Sequence, residues 1–232
     1  MLIYGKNSCL EYLKKRKKIK SLYLDRGFND KHIISLIENL KIKPHFYTKH
    51  ELDELAEENH QGIIIDVGEY EYCDLDEIVE ENDGFIVILD HIMDTHNFGA
   101  IIRTCVAAGV KGIIIPKDRS VKVNSTVMKT SVGAALNMKI CMVTNLNQAI
   151  KYLKDKNYWI YASDMEGVNY TDNIYNNNVC LIIGNENKGV SELVKKSSDY
   201  IVSIPISQKI DSLNASVAAG IIIYEVVRQR SL

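Results

Sequence analysis

The second half of the chain is marked by short, almost uninterrupted apolar runs, which lie at 85–89, 112–115, 140–143, 159–162, 179–183 and 200–204. The segments between these runs are predicted to be helices. Strands of continuous apolar sequence, joined by helices, are typical of a parallel sheet that is buried on both faces. The pattern therefore predicts an α/β domain with a parallel sheet over residues 84–232.

A smaller α/β pattern occupies residues 1–68. Its predicted helices are 8–15, 31–40 and 49–59, with Thr48 as the N-cap of the third. Its predicted strands are 21–24, 45–47 and 63–67. An acidic stretch at 69–83 separates the two patterns, and we interpret it as a linker that carries a short helix. The sequence thus predicts two domains, 1–68 and 84–232.

Composition and charge exclude several classes of protein. The formal net charge is −2, so any nucleic-acid contact must come from local basic patches. The five cysteines are odd in number and form no Cys-x-x-Cys site, which predicts reduced thiols. His91 and His96 flank Asp94, but no further ligand lies at a suitable spacing, so no metal is predicted. No signal peptide is recognised and no apolar run approaches the roughly 18 residues that span a bilayer, which predicts a soluble, cytoplasmic protein without a membrane segment.

Three of the apolar strands end in polar, glycine-marked loops that restart as helices, at 90–104, 184–189 and 204–216. Open α/β sheets bind ligands at the carboxyl ends of their strands, so these loops predict one composite site. The dinucleotide fingerprint is absent, and 184–189 lacks the Lys-Ser/Thr pair of a phosphate-binding loop. A tight turn entering a helix is the alternative interpretation of its glycines.

The first of these loops supplies Asn97 and Arg103. Asn97 is expected to cap the following helix. Arg103 should lie on the first or second turn, where a cation opposes the helix dipole. That position favours a ligand such as a phosphate or hydroxyl oxygen, and a salt bridge to Asp94 or Glu186 is the alternative.

The last loop places Ser212 and Asn214 on either side of the start of the final helix, which is predicted over 213–229. One of the two should cap the helix and the other should face the site. The helix itself is apolar or small almost all round. It is therefore expected to be buried, either against the sheet or against a second subunit.

A basic run of six cations in seven residues lies in the amino-terminal domain, at Lys14, Lys15, Arg16, Lys17, Lys18 and Lys20. Such a run is either a solvated surface or a contact to a phosphate backbone, and Lys6 could extend it.

The three loops resemble, in sequence and order, the signature motifs of the SpoU-type (TrmH-like) RNA 2′-O-ribose methyltransferases of the SPOUT superfamily. The matching residues are Asp94, Asn97, Gly99, Arg103 and Thr104, then Gly184, Glu186 and Gly189, then Ile204, Pro205, Ser212, Leu213, Asn214 and Ser216. Residues 4–7 with Glu11, and 60–62, resemble the family's L30e-like substrate-binding domain. The 23S rRNA guanosine-2′-O-methyltransferases are the most similar group. The chain departs from the family at Thr95, where members usually have Pro, and at Ile206 and Gln208, where Met and Gly are common.

The resemblance implies a parallel sheet with a deep C-terminal trefoil knot, preceded by a small L30e-like α/β domain. It implies S-adenosylmethionine as cofactor, held by Gly184, Asn185, Gly189, Ile204, Pro205 and Leu213. It implies a homodimer that completes the site at its interface. The expected catalytic residues are Arg103, Asn97, Glu186, Ser212 and Asn214, and the expected RNA contacts are Lys6, Lys14, Lys15, Arg16, Lys17 and Lys18.

The activity implied by the resemblance is methyl transfer to a ribose 2′-hydroxyl of RNA, with a guanosine of 23S rRNA as the target. Methylation of a tRNA ribose is the alternative within the same enzyme class. A relative of the fold that binds RNA without catalysis is the alternative from a different class. A guanidinium is a poor base, because its pKa exceeds about 12, so Arg103 is expected to orient the hydroxyl or a neighbouring phosphate.

Overall fold

The computed structural model of the chain describes residues 1–56, 59–186, 188–207 and 212–230. The chain forms two compact units, one of Met1–Glu71 with Val123–Asn137 and one of Tyr72–Lys122 with Met138–Leu232. The elements of the first 66 residues are β1 (Leu2–Tyr4), α1 (Lys6–Lys14), β2 (Ser21–Asp25), α2 (Lys31–Asn39), β3 (His45–Tyr47), α3 (Lys49–Leu55) and β4 (Ile63–Asp66).

The first unit is built on a sheet of order β1-β4-β2-β3 among the described residues. Strand β4 is antiparallel to both β1 and β2, and β2 is parallel to β3. The predicted strands and helices are present, and the sequence pattern missed only the three-residue β1. Thr48 caps α3 as predicted, in a capping box with Glu51. Helix α3 ends at Leu55, four residues earlier than expected.

The remaining elements are β5 (Phe85–Asp90), α4 (Thr95–Ala107), β6 (Gly112–Pro116), α5 (Ser125–Thr130), β7 (Ile140–Val143), α6 (Leu146–Asp155), β8 (Trp159–Asn169), β9 (Val179–Gly184), α7 (Glu192–Ser197), β10 (Tyr200–Ser203) and α8 (Ala215–Arg230). The strands form a sheet of order β10-β8-β9-β5-β6-β7 within the described ranges, and every pairing is parallel. Strands β5 and β9 are buried along their whole length. The predicted parallel α/β sheet is therefore confirmed.

The segment Val123–Asn137, which carries α5, is grouped with the first unit although the predicted boundaries assign it to the second domain. The Ser8 hydroxyl donates to the Met128 carbonyl at 3.2 Å, and the Lys129 ammonium lies 5.2 Å from the centre of the Tyr4 ring. The chain thus returns to the first unit after β6. A boundary drawn along the sequence misses such an excursion.

The carboxyl ends of the central strands lie side by side. Asp90 at the end of β5 pairs in register with Gly184 at the end of β9. Strand β8 leaves its ladder with β10 between Ala162 and Val168, so that residues 163–167 loop out at the same edge. This edge of the sheet is therefore where the polar loops of the second unit gather.

Three observations on the described residues concern other classes of site. No helix among them is long and apolar enough to cross a membrane. No group of three or more of their His, Cys, Asp or Glu side chains could hold a metal ion. All five cysteines are free thiols, and the sulfur atoms of Cys73 and Cys141 lie 2.7 Å apart.

Candidate functional site

A cavity of about 350 Å³ opens at the carboxyl ends of β8, β9 and β10, entirely within the second unit. The loop that begins at Gly184 forms one wall, and Ile204, Leu213 and Ile222 contribute apolar surface. Of the residues predicted to bind a cofactor, the cavity is lined by Gly184, Asn185, Gly189, Ile204 and Leu213. Pro205 does not line it. The cavity thus combines apolar walls with backbone polar groups, as a site for a small organic cofactor should.

The loop between Gly184 and Gly189 is closed on itself. Asn185 and Gly189 exchange two backbone hydrogen bonds of 3.1 and 2.8 Å, and Gly189 has a left-handed φ of 64°. A Cβ atom at Gly184 would lie 2.1 Å from the carbonyl carbon of Gly189. No other residue can therefore occupy position 184 without a shift of the backbone.

A buried carboxylate fastens this loop to the end of β5. Asp90, 1% exposed, accepts a 2.7 Å hydrogen bond from the backbone N–H of Ser191, and its other oxygen lies 2.5 Å from Nδ1 of His91. The Asn185 side-chain amide donates to the His91 carbonyl at 2.9 Å. Asp90 is not among the site residues predicted from the sequence. A charged residue that ends a strongly apolar run is the signal that could have identified it.

The side chain of Asn97 connects the three motif loops. Its amide donates to the Glu186 carboxylate at 2.6 Å, and its carbonyl oxygen accepts from the Asn214 amide at 2.9 Å. The prediction that Asn97 caps α4 is wrong, because Asp94 is the N-cap and accepts from the Asn97 backbone N–H at 2.7 Å. That arrangement leaves the Asn97 side chain free to reach both partners.

Asn214 has a second role at the start of α8. Its carbonyl oxygen accepts from the Ser216 backbone N–H at 2.9 Å and from the Ser216 hydroxyl at 2.6 Å. The capping role predicted for one member of the 212/214 pair therefore belongs to Asn214. Ser212 lines the cavity. The helix begins at Ala215, two residues later than predicted.

Arg103 lies apart from this network. It is the ninth residue of α4 and lies on the third turn. The prediction that its charge opposes the helix dipole is therefore wrong, because that effect falls off within the first turn. The residue is exposed, and within the described residues its guanidinium has no hydrogen bond and no ion pair. The alternative of a salt bridge to Asp94 or Glu186 is therefore not found. Thr95 occupies the first helical position, where proline is also favoured, whereas Gln208 lies outside the described residues.

A further carboxylate reaches the cavity from the irregular part of β8, between Ala162 and Val168. Asp164 lines the cavity and forms a 3.0 Å ion pair with Lys195, which also lies 2.6 Å from Glu192. The hydrogen bonds to Glu192 and Asp164 raise the pKa of Lys195. Sequence reasoning missed Asp164, because nothing in a single sequence indicates that strand β8 breaks its ladder there.

The residues predicted to contact RNA do not form one group. Lys6 is the first residue of α1 and Lys14 the last, so they are about 12 Å apart along the helix axis. Lys14 pairs with Glu11 at 2.8 Å, and the rest of the run at residues 15–18 is exposed. Lys6 belongs instead to a separate cavity of the first unit.

Family models match almost the whole chain. The model of the SpoU rRNA methylase family matches residues 84–224, and the model for RNA 2′-O ribose methyltransferase substrate binding matches residues 2–73. The chain therefore belongs to the SpoU rRNA methylase family and is an RNA methyltransferase of that type. The resemblance seen in its three motifs is confirmed.

Individual relatives agree with this assignment. YacO of Bacillus subtilis (strain 168), described as a member of the TrmH family of tRNA/rRNA methyltransferases, is 36% identical over 99% of this chain and 96% of its own. The SpoU methyltransferase AviRb from Streptomyces viridochromogenes, solved in complex with AdoMet, is 25% identical, with a TM-score of 0.87 over 100% of this chain and 90% of its own. The A. aeolicus TrmH/SpoU tRNA modifying enzyme is 32% identical, with a TM-score of 0.58 over 68% and 79% of the chains.

Proposed function

We propose that this protein transfers the methyl group of S-adenosylmethionine to the 2′-hydroxyl of a ribose in RNA, and that its target is a guanosine of 23S rRNA. The observation that carries this proposal is the Asn97 side chain, which binds Glu186 and Asn214 and so holds the three motif loops together beside the cavity. Membership of the SpoU family and the AdoMet complex of AviRb support the cofactor.

The residues around the cavity suit this cofactor. Its apolar walls suit an adenine ring, and the tight 184–189 loop offers backbone donors and acceptors close to the ligand. Asp164, Glu186 and Lys188 are the charged residues among those that line the cavity, and the two carboxylates suit the positive charges of a sulfonium and an ammonium group. S-adenosylmethionine supplies the electrophilic methyl group, and the chain has to position the nucleophile.

The remaining roles follow from the contacts. Asn97, Glu186 and Asn214 fix the loops through their mutual hydrogen bonds, and Ser212 faces the ligand from the cavity wall. Arg103 orients the ribose hydroxyl or a neighbouring phosphate. Holding the hydroxyl in line with the methyl group should account for much of the rate enhancement, because it makes a bimolecular step effectively unimolecular.

We further propose a homodimer in which Arg103 serves the site of the partner subunit. Arg103 is six residues beyond Asn97, which places it about 9 Å along the helix axis and roughly 120° around it. It therefore points away from its own Asn97 network. Helix α8 exposes Val217 and Tyr224, each half-exposed, and a Cβ atom added at Gly220 would meet nothing within 4 Å. These features suit close packing of a second chain.

Two further properties belong to the same proposal. The family's C-terminal trefoil knot is proposed for the carboxy-terminal part of the second unit. The enzyme is proposed to act in the cytoplasm on ribosomal RNA. The match of residues 2–73 to a model for RNA 2′-O ribose methyltransferase substrate binding supports an RNA substrate.

A tRNA ribose is the second candidate substrate. It is favoured by the likeness of the chain to the A. aeolicus tRNA modifying enzyme, which covers 68% of this chain. The basic run at residues 15–18 is exposed and would serve either RNA, since it can contact any phosphate backbone.

Transfer of labelled methyl from S-adenosylmethionine to unmodified 23S rRNA, to unmodified tRNA and to protein alone tests the proposal. We expect label on a ribose of 23S rRNA, and Arg103→Ala should abolish it. Label on tRNA would keep the chemistry and overturn the substrate. A lack of label on either RNA, together with a lack of cofactor binding by calorimetry, would contradict the enzymatic function.

A further inference from the structure

A second cavity, of about 640 Å³, lies wholly within the first unit. It is bounded by the start of α1, the turn after β2, helix α3 and the turn at residues 60–62. Lys6 is part of its wall, whereas the basic run at residues 15–18 is not. A role of the basic run in RNA binding would therefore not account for this cavity.

The turn at one wall of this cavity is held rigidly by a buried histidine. His60, 4% exposed, accepts a 3.0 Å hydrogen bond at Nδ1 from the Gly62 N–H, and its Nε2 lies 3.0 Å from Asp53. The Lys6 backbone N–H donates to the Gln61 side chain at 2.8 Å. Gln61 and Gly62 have left-handed φ values of 54° and 82°, and such a conformation is strained for glutamine.

An aromatic ring forms the floor beside this turn. The edge of the half-buried Phe28 ring lies 3.0 Å from the position of a Cβ atom at Gly62, so glycine is needed for the ring to lie there. The ammonium of Lys6 lies 5.5 Å from the ring centre and 3.5 Å from the Asp30 carboxylate. The Lys6 ammonium thus already makes a cation–π contact with this ring, and a flat group that stacks on the ring would displace the ammonium or use the opposite face.

The polar groups of the cavity indicate the chemical class of ligand. Its two lysines, Lys6 and Lys49, are balanced by two aspartates, Asp25 and Asp53, so the wall does not select for a bare anion. Side-chain amides supply further donors and acceptors, at Asn29, Asn59 and Gln61. An aromatic face with amide groups around it matches a nucleobase, which stacks on one surface and forms hydrogen bonds at its edge.

We propose that this cavity binds one unstacked base of the RNA substrate, with the base on Phe28 and its edge on the amide side chains. The inference rests on the proposed RNA methyltransferase function and names the feature of the RNA that the first unit recognises. It predicts a preference for a bulge, loop or end over a continuous helix. The lysines at the rim would then contact the flanking phosphates.

An RNA hairpin with a single bulged 2-aminopurine tests this proposal, with the same hairpin lacking the bulge as the paired reference. Wild-type protein should bind the bulged hairpin about ten-fold more tightly and quench its fluorescence. Phe28→Leu should remove most of that advantage, a loss of about five- to ten-fold, which is the low end of the range for one stacking contact. Phe28→Tyr should retain it, because the ring is kept. Phe46→Leu is the matched control, since Phe46 is 60% exposed on β3 and lies outside the cavity.

The result can be separated from the fate of the proposed enzyme. Phe28→Leu should keep the cofactor affinity and melting temperature of the wild type, and Asn29→Ala, an exposed change, should lower bulge affinity without any question of folding. Equal affinity of wild type for the two hairpins, or equal loss in Phe28→Leu and Phe46→Leu, would overturn the base site. Failure of wild type to bind S-adenosylmethionine or to methylate RNA would overturn the proposed function instead, whatever the hairpins show.

Discussion

The two sides of the candidate site differ in how completely one chain builds them. On the fixed side, Asn97, Glu186 and Asn214 form a closed set of hydrogen bonds, and Asp90 fastens the 184–189 loop from below. On the open side, Arg103 is exposed and unpaired among the described residues, and α8 presents an apolar stripe. Under the proposed function, a single chain would therefore hold a complete cofactor cavity and an incomplete substrate face.

Substitutions on the two sides should therefore change different measurable properties. Changes on the fixed side should alter cofactor affinity, because they move the loops that line the cavity. Changes on the open side should leave cofactor affinity alone and alter turnover or assembly. A variant that affects both sides equally would break this distinction.

The largest effect is expected from Arg103→Ala on the open side. Methyl transfer should fall by roughly 100-fold or more, the scale of losing a group that acts on the reacting proton or hydroxyl. The dissociation constant for S-adenosylmethionine, measured by calorimetry, should stay within two-fold of wild type, about the scatter of such measurements. Lys151→Ala removes an exposed cation from the middle of α6 and should change neither quantity. A parallel loss of cofactor affinity in Arg103→Ala would place Arg103 on the fixed side.

Gly184→Ala should produce the largest effect on the fixed side. The new methyl group would lie 2.1 Å from the Gly189 carbonyl carbon, so the loop must move. We expect cofactor binding to weaken by about ten-fold or more, with a lower melting temperature from the backbone strain. Gly27→Ala is the matched control, because its methyl group would meet only the movable Asp25 carboxylate, at 3.1 Å. Normal cofactor affinity in Gly184→Ala would show that the loop does not define the cavity.

Assembly should depend on the stripe of α8. The double change Val217→Glu with Tyr224→Glu places charges on two side chains that are half-exposed in one chain, so the fold of the subunit should survive. The proposed dimer should dissociate about ten-fold more readily or worse, because a charge would be buried in the interface. Analytical ultracentrifugation measures this. Leu193→Glu on α7, 69% exposed, is the control and should leave the assembly intact. A monomeric wild type would refute the shared site.

The strands of the second unit could be predicted from sequence because their apolar runs are continuous and their loops carry glycine. The same reasoning could not assign the cap of α4. Asp94 and Asn97 are both good capping residues, and only the backbone shows that Asp94 is outside the helix and Asn97 inside it. The misplacement of Arg103 by one or two turns followed from that error.

Other parts of the site depend on contacts between distant segments. Asp164 faces the cavity because β8 changes register against β10, and Asp90 holds Ser191 from 101 residues away. The return of Val123–Asn137 to the first unit has the same origin. A local pattern records propensity and burial, but it does not record which distant backbone group a buried carboxylate will meet.

A smaller effect is expected from Asn97→Asp, which tests the centre of the fixed side. The new carboxylate would lie against Glu186, whose oxygen is 2.6 Å from the Asn97 amide in the wild type. Two adjacent ionised carboxylates repel each other, so one pKa of the pair should rise. Cofactor affinity should fall about ten-fold at neutral pH, and part of the loss should be recovered at lower pH, as the pair takes up a proton. Asn97→Ala should be weaker than wild type at both pH values without that recovery.

The smallest effect is expected on the buried face of α8, which contrasts with the exposed stripe of the same helix. Glu225, with a side chain that is 7% exposed, accepts from Arg228 at 2.8 and 2.7 Å and from Gln229 at 2.8 Å. The hydrogen bond from Arg228, followed by that from Gln229, lowers the pKa of Glu225. Because the folded pKa lies below the unfolded value of about 4.3, this stabilisation is present above that value and is lost as the pH falls through the folded pKa.

Glu225→Gln should therefore lower the melting temperature by roughly 2–4 °C at pH 7. The difference from wild type should begin to shrink below the unfolded value of about 4.3 and should be lost as the pH falls through the lower folded pKa, where the wild-type carboxylate becomes protonated. Thermal unfolding at equal protein concentration measures both, since any dimer makes the melting temperature depend on concentration. Glu192→Gln, at a position 75% exposed, should shift it less. A difference that persists unchanged at low pH would mean that Glu225 stabilises α8 by packing rather than by charge. The buried and the exposed face of the helix would then differ in how much side-chain surface they bury, and not in an ionised hydrogen-bonded group.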